Sequence, residues 1–180
     1  MSKLPVIVAP DDKLMLHSLE VTEINHEIID LVNDMIETVF DVDGFGLAAV
    51  QVGILKRVFV TRIPLEYLDE YSQYQSTGTF TMINPEIIEL SNEKIILKEG
   101  CLSLPYQYYD IKRPKYLTIR YIDLESKACI LQASGWLARC IQHEIDHLNG
   151  ISYIRHLSKL KYDIAMKKAQ RVKDQINISI

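Results

Sequence analysis

The chain has 180 residues, 48% of them hydrophobic and 24% charged, with a formal net charge of −4. This length predicts one domain, residues 1–180, that can bury a hydrophobic core without needing disulfides or structural metals. The acidic balance gives no reason to expect bulk nucleic-acid binding, and no apolar run approaches the roughly 20 residues that cross a membrane. The N-terminal stretch MSKLPVIVAPDDKL has a short apolar run that prolines interrupt and acidic residues follow, so it does not read as a secretory signal. Three cysteines without framework spacing predict free thiols in a reducing compartment.

The first half of the chain predicts one helix and several strands. Apolar periodicity indicates a helix, capped by Thr22 or Asn25, whose one face carries Ile24, Ile28, Leu31, Val32, Met35, Ile36 and Val39. A glycine-punctuated loop, GFGLAAVQVG, follows it, and KRVFVTRI then reads as a strand. The polar segment 64–79 predicts a surface excursion. Further on, FTMINPEIIEL, EKIILKEG, YLTIRYID and CILQAS are typical of strands.

Two helices are predicted to end the chain. The first covers residues 135–147, with Ser134 as its N-cap. The second begins near Ser158, is basic over about 157–175, and is predicted to carry Leu160, Ile164 and Ala169 on one side. This order of elements predicts an α+β fold in which mostly antiparallel strands pack around a central helix, with a further helix at the C-terminus.

The segment QHEIDH carries an arrangement typical of metal hydrolases. His143 and His147 are four residues apart, so on a helix both imidazoles lie on one face and can bind one divalent cation. Glu144 can take a proton from a water at that cation and then give it to a leaving amine. In a chain with five histidines this pattern favours a metal site over a solvated surface helix. The central helix is therefore predicted to bind metal.

A catalytic site of this kind usually takes three protein ligands. No H-E-x-x-H-x-x-G-x-x-H continuation follows, and the next histidine, His156, is nine residues past His147. Cys101, in EGCLSLP between a glycine and a proline, can complete a Cys-His-His set that leaves the fourth position open to water. Cys140 is the competitor, but three ligands from one straight helix suit a tetrahedral ion poorly. We therefore interpret Cys140 as pocket wall or core.

The segment GFGLAAVQVG has two features that suit a hydrolase site. Its glycines permit close approach of a substrate backbone. The Gln51 amide can donate a hydrogen bond to a developing oxyanion. An ordinary turn before a strand explains the same residues equally well.

Together, GFGLAAVQVG, EGCLSLP and QHEIDHLNG resemble the three motifs of peptide deformylases, in the same order. The resemblance extends through INPEI and KRPKYLTIRYID, so it covers most of the chain. It implies a hydrolase that removes the formyl group from the N-terminal formylmethionine of nascent proteins and releases formate. It also implies one divalent metal ion, Fe²⁺ in the cell with Zn²⁺, Ni²⁺ or Co²⁺ able to substitute. The expected location is the cytoplasm, or an organellar compartment with bacterial-type translation.

The resemblance also implies roles for individual residues. The metal ligands fall on Cys101, His143 and His147, and the acid/base group on Glu144. The oxyanion donors fall on the Gln51 side chain and the Leu102 backbone N–H. Backbone partners for the extended substrate are implied at Gly44, Phe45, Gly46 and Gly100. One departure is Val50, where the family usually has proline or a small polar residue; this position carries no chemistry.

Helical spacing adds candidates around this site. Trp136 and Cys140 lie seven and three residues before His143, so they share its face and, with Phe45, could wall an apolar pocket for the methionine side chain. A pure core role for Trp136 fits equally well. Glu99 is predicted to orient the ligands from behind because it is tied to Cys101. Asp146 is not on the face of the two histidines, so it is predicted to make hydrogen bonds that support the ligands from behind or that stabilise the fold.

The C-terminal segment is basic on an acidic protein, with Arg155, Lys159, Lys161, Lys167, Lys168, Arg171 and Lys173 against one acid, Asp163, in residues 155–173. Such a helix is usually a solvated face. The sharper hypothesis is docking to ribosomal RNA near the exit of new chains. Two other functions stay open: a metallopeptidase or other acyl hydrolase, and a catalytically silent metal- or ribosome-binding relative. The missing downstream ligand argues against the former, and intact Gln51, Cys101 and Glu144 argue against the latter.

Overall fold

The computed structural model describes residues 3–64, 67 and 79–178. Most of the predicted excursion at 64–79 therefore lies outside the described residues. The chain forms three α-helices, α1 (His26–Asp41), α2 (Gly135–Leu148) and α3 (Lys159–Ile178), within the described part. None of the described helices has the combination of length and apolar character that crossing a membrane requires.

Seven strands are described: β1 (Gly46–Ala48), β2 (Val58–Arg62), β3 (Thr79–Leu90), β4 (Lys94–Cys101), β5 (Leu104–Pro114), β6 (Tyr116–Ile122) and β7 (Ala128–Ser134). Five of them form an antiparallel sheet in the order β1-β2-β3-β6-β7, and β4 and β5 form a separate antiparallel hairpin. The prediction of an α+β fold with antiparallel strands around a late helix and a C-terminal helix is confirmed.

The central sheet buries both of its faces at β2. Val58 and Val60 belong to the cluster that includes the apolar face of α1, whereas Phe59 belongs to the cluster that includes α2. Successive strand residues point to opposite faces, so this alternation places the two helices on opposite sides of the sheet. A third cluster joins α3 to the hairpin through Ala165, Ala169 and Ile111. Helix α2 thus lies between the sheet and the hairpin.

The N-terminal ends of α1 and α2 lie at predicted cap residues, but the caps differ from the prediction in two details. Asn25, rather than Thr22, caps α1: its side-chain oxygen accepts a hydrogen bond from the Ile28 N–H at 3.2 Å. Ser134 is at the N-cap of α2 as predicted, but its side chain makes no capping bond.

The apolar side predicted for α3 is wrong. Ala169 is fully buried, whereas Leu160 is 72% exposed and Ile164 is also exposed. Leu160 and Ala169 are nine residues apart, which is two and a half turns, so they lie on opposite sides of the helix. The buried stripe carries the small residues Ala165 and Ala169 instead.

Two strands were not predicted. Strand β1 has only three residues and lies inside the glycine motif, where the loop signals are strong. Strand β5 has prolines at both ends and no regular alternation of buried and exposed residues, and Tyr106 within it has a positive φ of 61°. Its pairing with β4 is what holds it extended, from Lys94 opposite Pro114 to Cys101 opposite Leu104.

Candidate metal centre and substrate pocket

Three side chains converge where the β4–β5 turn meets the C-terminal half of α2. The ligand atoms of Cys101, His143 and His147 all lie within 4.8 Å of one another. Cys101 Sγ is 3.2 Å from His147 Nε2, and the two imidazole rings are 5.0 Å apart. Cys101 ends β4 after a register shift beside Glu99, which brings the thiol in front of the two histidines. Sequence positions 42 residues apart are thus brought together by the hairpin.

The Cys101 thiol is in surroundings that favour the thiolate. Burial alone raises its pKa, but the imidazoles of His147 and His143 outweigh burial and lower the pKa from 9.0 to about 5. A thiolate is the form of cysteine that binds metals. With one sulfur and two nitrogen donors, this set suits a transition metal such as iron, zinc, nickel or cobalt rather than magnesium or calcium. The donor chemistry therefore fits a catalytic metal with three protein ligands.

Glu99 holds His143 from the side away from this group. Its Oε2 accepts a hydrogen bond from His143 Nδ1 at 2.9 Å, and both of its oxygens bind Arg113 at 2.7 and 3.0 Å. Arg139 donates to Glu99 Oε1 at 2.7 Å and to two backbone carbonyls. Burial raises the pKa of Glu99, but bonds from His143 and Arg113 outweigh burial and leave that pKa well below its ordinary value of 4.5. Glu99 is therefore a buried carboxylate with two guanidinium partners.

The same ion network continues to the protein surface. Arg113 also donates to Asp146 Oδ2 at 2.6 Å, and His156 Nε2 lies 2.7 Å from the same oxygen. Burial raises the pKa of Asp146, but His156 and Arg113 outweigh burial and lower that pKa below 3.8. Asp146 points away from Cys101 and joins α2 to β5.

Glu144 is buried beside the metal ligands, and its Oε2 has no hydrogen-bond partner among the described residues. Burial raises the pKa of Glu144 from 4.5 to about 7. A carboxyl group with such a pKa can both accept and release a proton near neutral pH. An unpartnered buried oxygen requires an explanation, and a water or substrate atom at this position supplies one.

Gly46 leaves the space that Glu144 occupies. A Cβ at residue 46 would overlap Glu144 Oε1 and lie 2.8 Å from Cys140 Sγ. Cys140 in turn donates from Sγ to the Phe45 carbonyl at 3.2 Å, which fixes β1 against α2. Only glycine fits where β1 crosses α2.

The Gln51 amide has a defined orientation. Its Oε1 accepts from the Ala48 N–H at 2.8 Å, and its Nε2 donates to Ser103 Oγ at 3.1 Å and faces Cys101 Sγ at 3.5 Å. Gln51 is in the 3₁₀ turn Ala49–Val52 that follows β1, so its side chain reaches back along the glycine motif. The nitrogen therefore points at the thiol, where it can donate a hydrogen bond to a substrate oxygen.

A cavity of about 660 Å³ opens in front of these groups. Every residue predicted for catalysis or substrate binding lines it: Gly44, Phe45, Gly46, Gln51, Gly100, Leu102, Trp136, Cys140 and Glu144. Cys101, His143 and Glu99 line it as well. His147 instead lines a second cavity of about 70 Å³ on its far side, next to Ser103 and Ser152.

Sequence reasoning missed four residues that hold the site. Arg113 and Arg139 neutralise Glu99, Ser103 positions Gln51, and Tyr153 packs its ring 5.5 Å from the ring of His143. The Tyr153 hydroxyl donates to the Gln107 carbonyl at 2.9 Å. Only Arg139 could have been noticed in the sequence, because it is a charged residue among the apolar residues of the helix that carries the H-E-x-x-H pattern.

The chain is similar to known proteins over nearly its whole length. Residues 3–163 match the family described as polypeptide deformylase. A peptide deformylase of Wolbachia pipientis wMel is 66% identical over 174 residues, which cover 96% of this chain and 97% of the relative. The crystal structure of peptide deformylase from Ehrlichia chaffeensis in complex with actinonin is similar with a TM-score of 0.89 and 46% identity, covering 95% of this chain and 98% of that one.

A second similar structure is the Met-Ala-Ser-bound class I type b peptide deformylase of Acinetobacter baumannii, with a TM-score of 0.79 and 32% identity, covering 87% of this chain and all of that one. These matches confirm the resemblance that the three motifs indicated and favour it over a metallopeptidase or a silent relative. The chain belongs to the peptide deformylase family, the metal-dependent hydrolases that remove the N-formyl group from the N-terminal methionine of newly made proteins.

Proposed function

We propose that Glu144 is the acid/base group of the deformylation reaction in this chain. The observation that carries the proposal is its buried Oε2, which has no hydrogen-bond partner among the described residues and belongs to a carboxyl group with a pKa raised to about 7. Oε2 takes the proton of the attacking water and passes it to the methionine nitrogen as the C–N bond breaks. The water oxygen adds to the formyl carbon. Formate then leaves, and methionine keeps the free amine.

Cys101, His143 and His147 would hold one divalent cation, Fe²⁺ in the cell. When bound, it supplies Lewis acidity for the activation of water and the polarisation of the formyl carbonyl. The arrangement of Glu99 supports this assignment, because it takes His143 Nδ1 and leaves Nε2 for the cation.

Gln51 and Leu102 are the proposed oxyanion donors. The Gln51 Nε2 is 3.5 Å from Cys101 Sγ, which is a long contact, so its N–H is available to a substrate oxygen beside the sulfur while the bonds to Ala48 and Ser103 keep the amide in place. The Leu102 backbone N–H follows Cys101 directly and is on the wall of the cavity. Donors already held in position stabilise charge as it develops, without the cost of reorganisation.

The substrate is proposed to lie extended between β1 and Gly100. Gly44 and Phe45 lead into β1, which begins at Gly46 and is an edge strand of the five-stranded sheet, since it pairs only with β2 in the described sheet order. An edge strand offers free backbone groups to an incoming extended peptide. Phe45, Trp136 and Cys140 are proposed to surround the methionine side chain. The Met-Ala-Ser peptide bound to the Acinetobacter relative supports a peptide of this kind as occupant.

Formate release from formyl-Met-Ala-Ser tests the assignment. The nickel-loaded enzyme is expected to release formate, and Glu144→Ala to lose roughly 100-fold or more of that rate. Glu89→Ala, an exposed acid on β3, is the control and is expected to keep the rate. A Glu144→Ala variant as active as the control would remove Glu144 from the mechanism.

Two further proposals concern the surroundings of the enzyme. Residues 1–180 are proposed to act as a single catalytic domain located in the cytoplasm, where formylated chains are made. Helix α3 is proposed to dock on the ribosome: Lys161, Lys167, Lys168 and Arg171 are exposed, next to the exposed side chains of Leu160 and Ile164. Basic side chains that face outward can bind RNA phosphates.

A further inference from the structure

Three aromatic rings contact one another at the outer end of the cavity. The ring of Phe45 lies 5.7 Å from that of Trp136 and 5.6 Å from that of Tyr67, and Tyr67 lies 6.1 Å from Trp136. The pairs that involve Trp136 are edge-to-face, an arrangement that aromatic rings prefer. Each ring therefore limits the orientation of the other two.

The three residues stand in different relations to the cavity. Phe45 and Trp136 line it, whereas Tyr67 is not among its lining residues and packs behind them, 44% exposed. Tyr67 comes from the polar segment 64–79, to which the motifs assign no role. Its backbone N–H donates to the Pro64 carbonyl at 2.9 Å, directly after the end of β2.

The backbones of the two lining residues are fixed more firmly than their rings. The Phe45 carbonyl accepts from Arg62 N at 2.7 Å and from Cys140 Sγ at 3.2 Å. Trp136 is in the first turn of α2. Both side chains are half-buried and pack against the core cluster that contains α2 residues, and the Tyr67 ring contacts both of them in addition.

We propose that Tyr67 is a positioning residue for substrate selection, which holds Phe45 and Trp136 in the orientation that fits the unbranched methionine side chain. This inference rests on the proposed pocket. Selection between apolar side chains that differ by about one methylene reaches roughly 10- to 200-fold, and it depends on walls that do not move. Without the Tyr67 ring, both walls can turn outward and admit broader side chains.

The experiment compares Tyr67→Ala and Tyr67→Phe in the nickel-loaded enzyme, with formyl-Met-Ala-Ser and formyl-Leu-Ala-Ser as substrates. For Tyr67→Ala, the preference for methionine in kcat/KM is expected to fall about tenfold, chiefly through a higher KM for the methionine substrate. Tyr67→Phe keeps the ring and is expected to keep the preference. Tyr116→Ala, which removes a tyrosine from β6, is the control.

Trp136 is the single tryptophan of the chain, so its fluorescence reports on this cluster alone. Tyr67→Ala is expected to shift the emission to longer wavelength and to weaken the response to added Met-Ala-Ser, while Tyr67→Phe and Tyr116→Ala are not. Should Tyr67→Ala fail to fold, Tyr67→Leu removes the ring and keeps an apolar side chain. Unchanged preference and unchanged emission in the variant that folds would overturn the inference. A wild-type enzyme that released no formate would instead contradict the proposed function.

Discussion

Glu99 Oε2 lies 2.9 Å from His143 Nδ1, and this bond sets which nitrogen of His143 faces the cavity. The glutamate comes from β4, two residues before Cys101, so the strand that carries the proposed sulfur ligand also orients His143, a proposed nitrogen ligand on α2. Arg113 and Arg139 compensate its charge in an environment where an unpaired carboxylate would be costly. Ligand geometry and the stability of the β4–β5 hairpin are therefore coupled.

Replacing Glu99 with glutamine tests this coupling. Glu99→Gln can still accept from His143, but it leaves Arg113 with Asp146 alone and takes away the carboxylate that Arg139 binds, so we expect metal affinity to fall roughly 10- to 100-fold. Competition for Ni²⁺ with a chelator measures the change. Glu93→Gln breaks an exposed pair with Lys115 and is the matched control. Equal affinities in the two variants would contradict the orienting role.

Acid should remove the contribution of Glu99 to stability. Its pKa in the folded state is lower than the ordinary 4.5, since the bonds from His143 and Arg113 outweigh the effect of burial. The stabilisation is therefore complete above about pH 5.5 and decreases as the pH falls through 4.5 towards the folded-state pKa. In metal-free protein, the difference in urea midpoint between wild type and Glu99→Gln is expected to shrink between pH 6 and pH 3.5. A difference that grows on acidification would give the opposite sign and refute this argument.

A methyl group at Gly46 should disable the enzyme without unfolding it. The added Cβ meets Glu144 and Cys140, so Glu144 must shift by about 1 Å, which typically costs on the order of 100-fold in rate. Val52→Ala is the matched control in the same motif, because Val52 packs against the α1 side of the core and does not line the cavity. Formate release and thermal unfolding of both variants measure the effect. Similar rates for the two would show that the crossing of β1 and α2 tolerates a side chain.

The two histidines and Glu144 could be proposed as a site from the sequence because they are close together in it. The H-E-x-x-H spacing needs only a helix, and that helix could be recognised from its length and its cap position. Cys101 could be proposed as the third ligand from its thiol chemistry and then from the family resemblance, but spacing alone did not show what would bring a residue 42 positions upstream to the histidines. The β4–β5 hairpin does so, and β5 itself was missed because its strand conformation depends on pairing rather than on its own pattern.

The residues that support the site were less accessible to sequence reasoning. Arg113 and Arg139 act through Glu99 from two different elements, and no local pattern connects the three positions. The error in α3 has a different origin. Leu160 was counted as a core residue because it is apolar, although its helical phase places it opposite Ala169.

The exposed basic residues of α3 should determine any ribosome binding. Lys167, Lys168 and Arg171 face outward, whereas Lys173 is bonded to Asp11 and Lys159 to Asp163. Replacing the first three with glutamine is expected to weaken co-sedimentation with ribosomes at low salt and to lower the salt dependence by roughly one unit of slope per lost phosphate contact. The control replaces Lys56, Lys94 and Lys127, which are exposed elsewhere. Unchanged co-sedimentation of the α3 variant would end the docking proposal.

The thiolate ligand should make the iron enzyme sensitive to air. Cys101 has a pKa lowered to about 5, and thiolates oxidise to sulfenic and sulfinic acids more readily than thiols, the more so beside a redox-active metal. We expect the Fe²⁺ form to lose activity in air faster than the Ni²⁺ form, and both to be stable without oxygen. Mass spectrometry should find added oxygen on Cys101 before Cys129, because burial and Asp123 raise the pKa of Cys129. Equal decay of the iron and nickel forms, or oxidation of Cys129 first, would show that the thiolate ligand is not the vulnerable group.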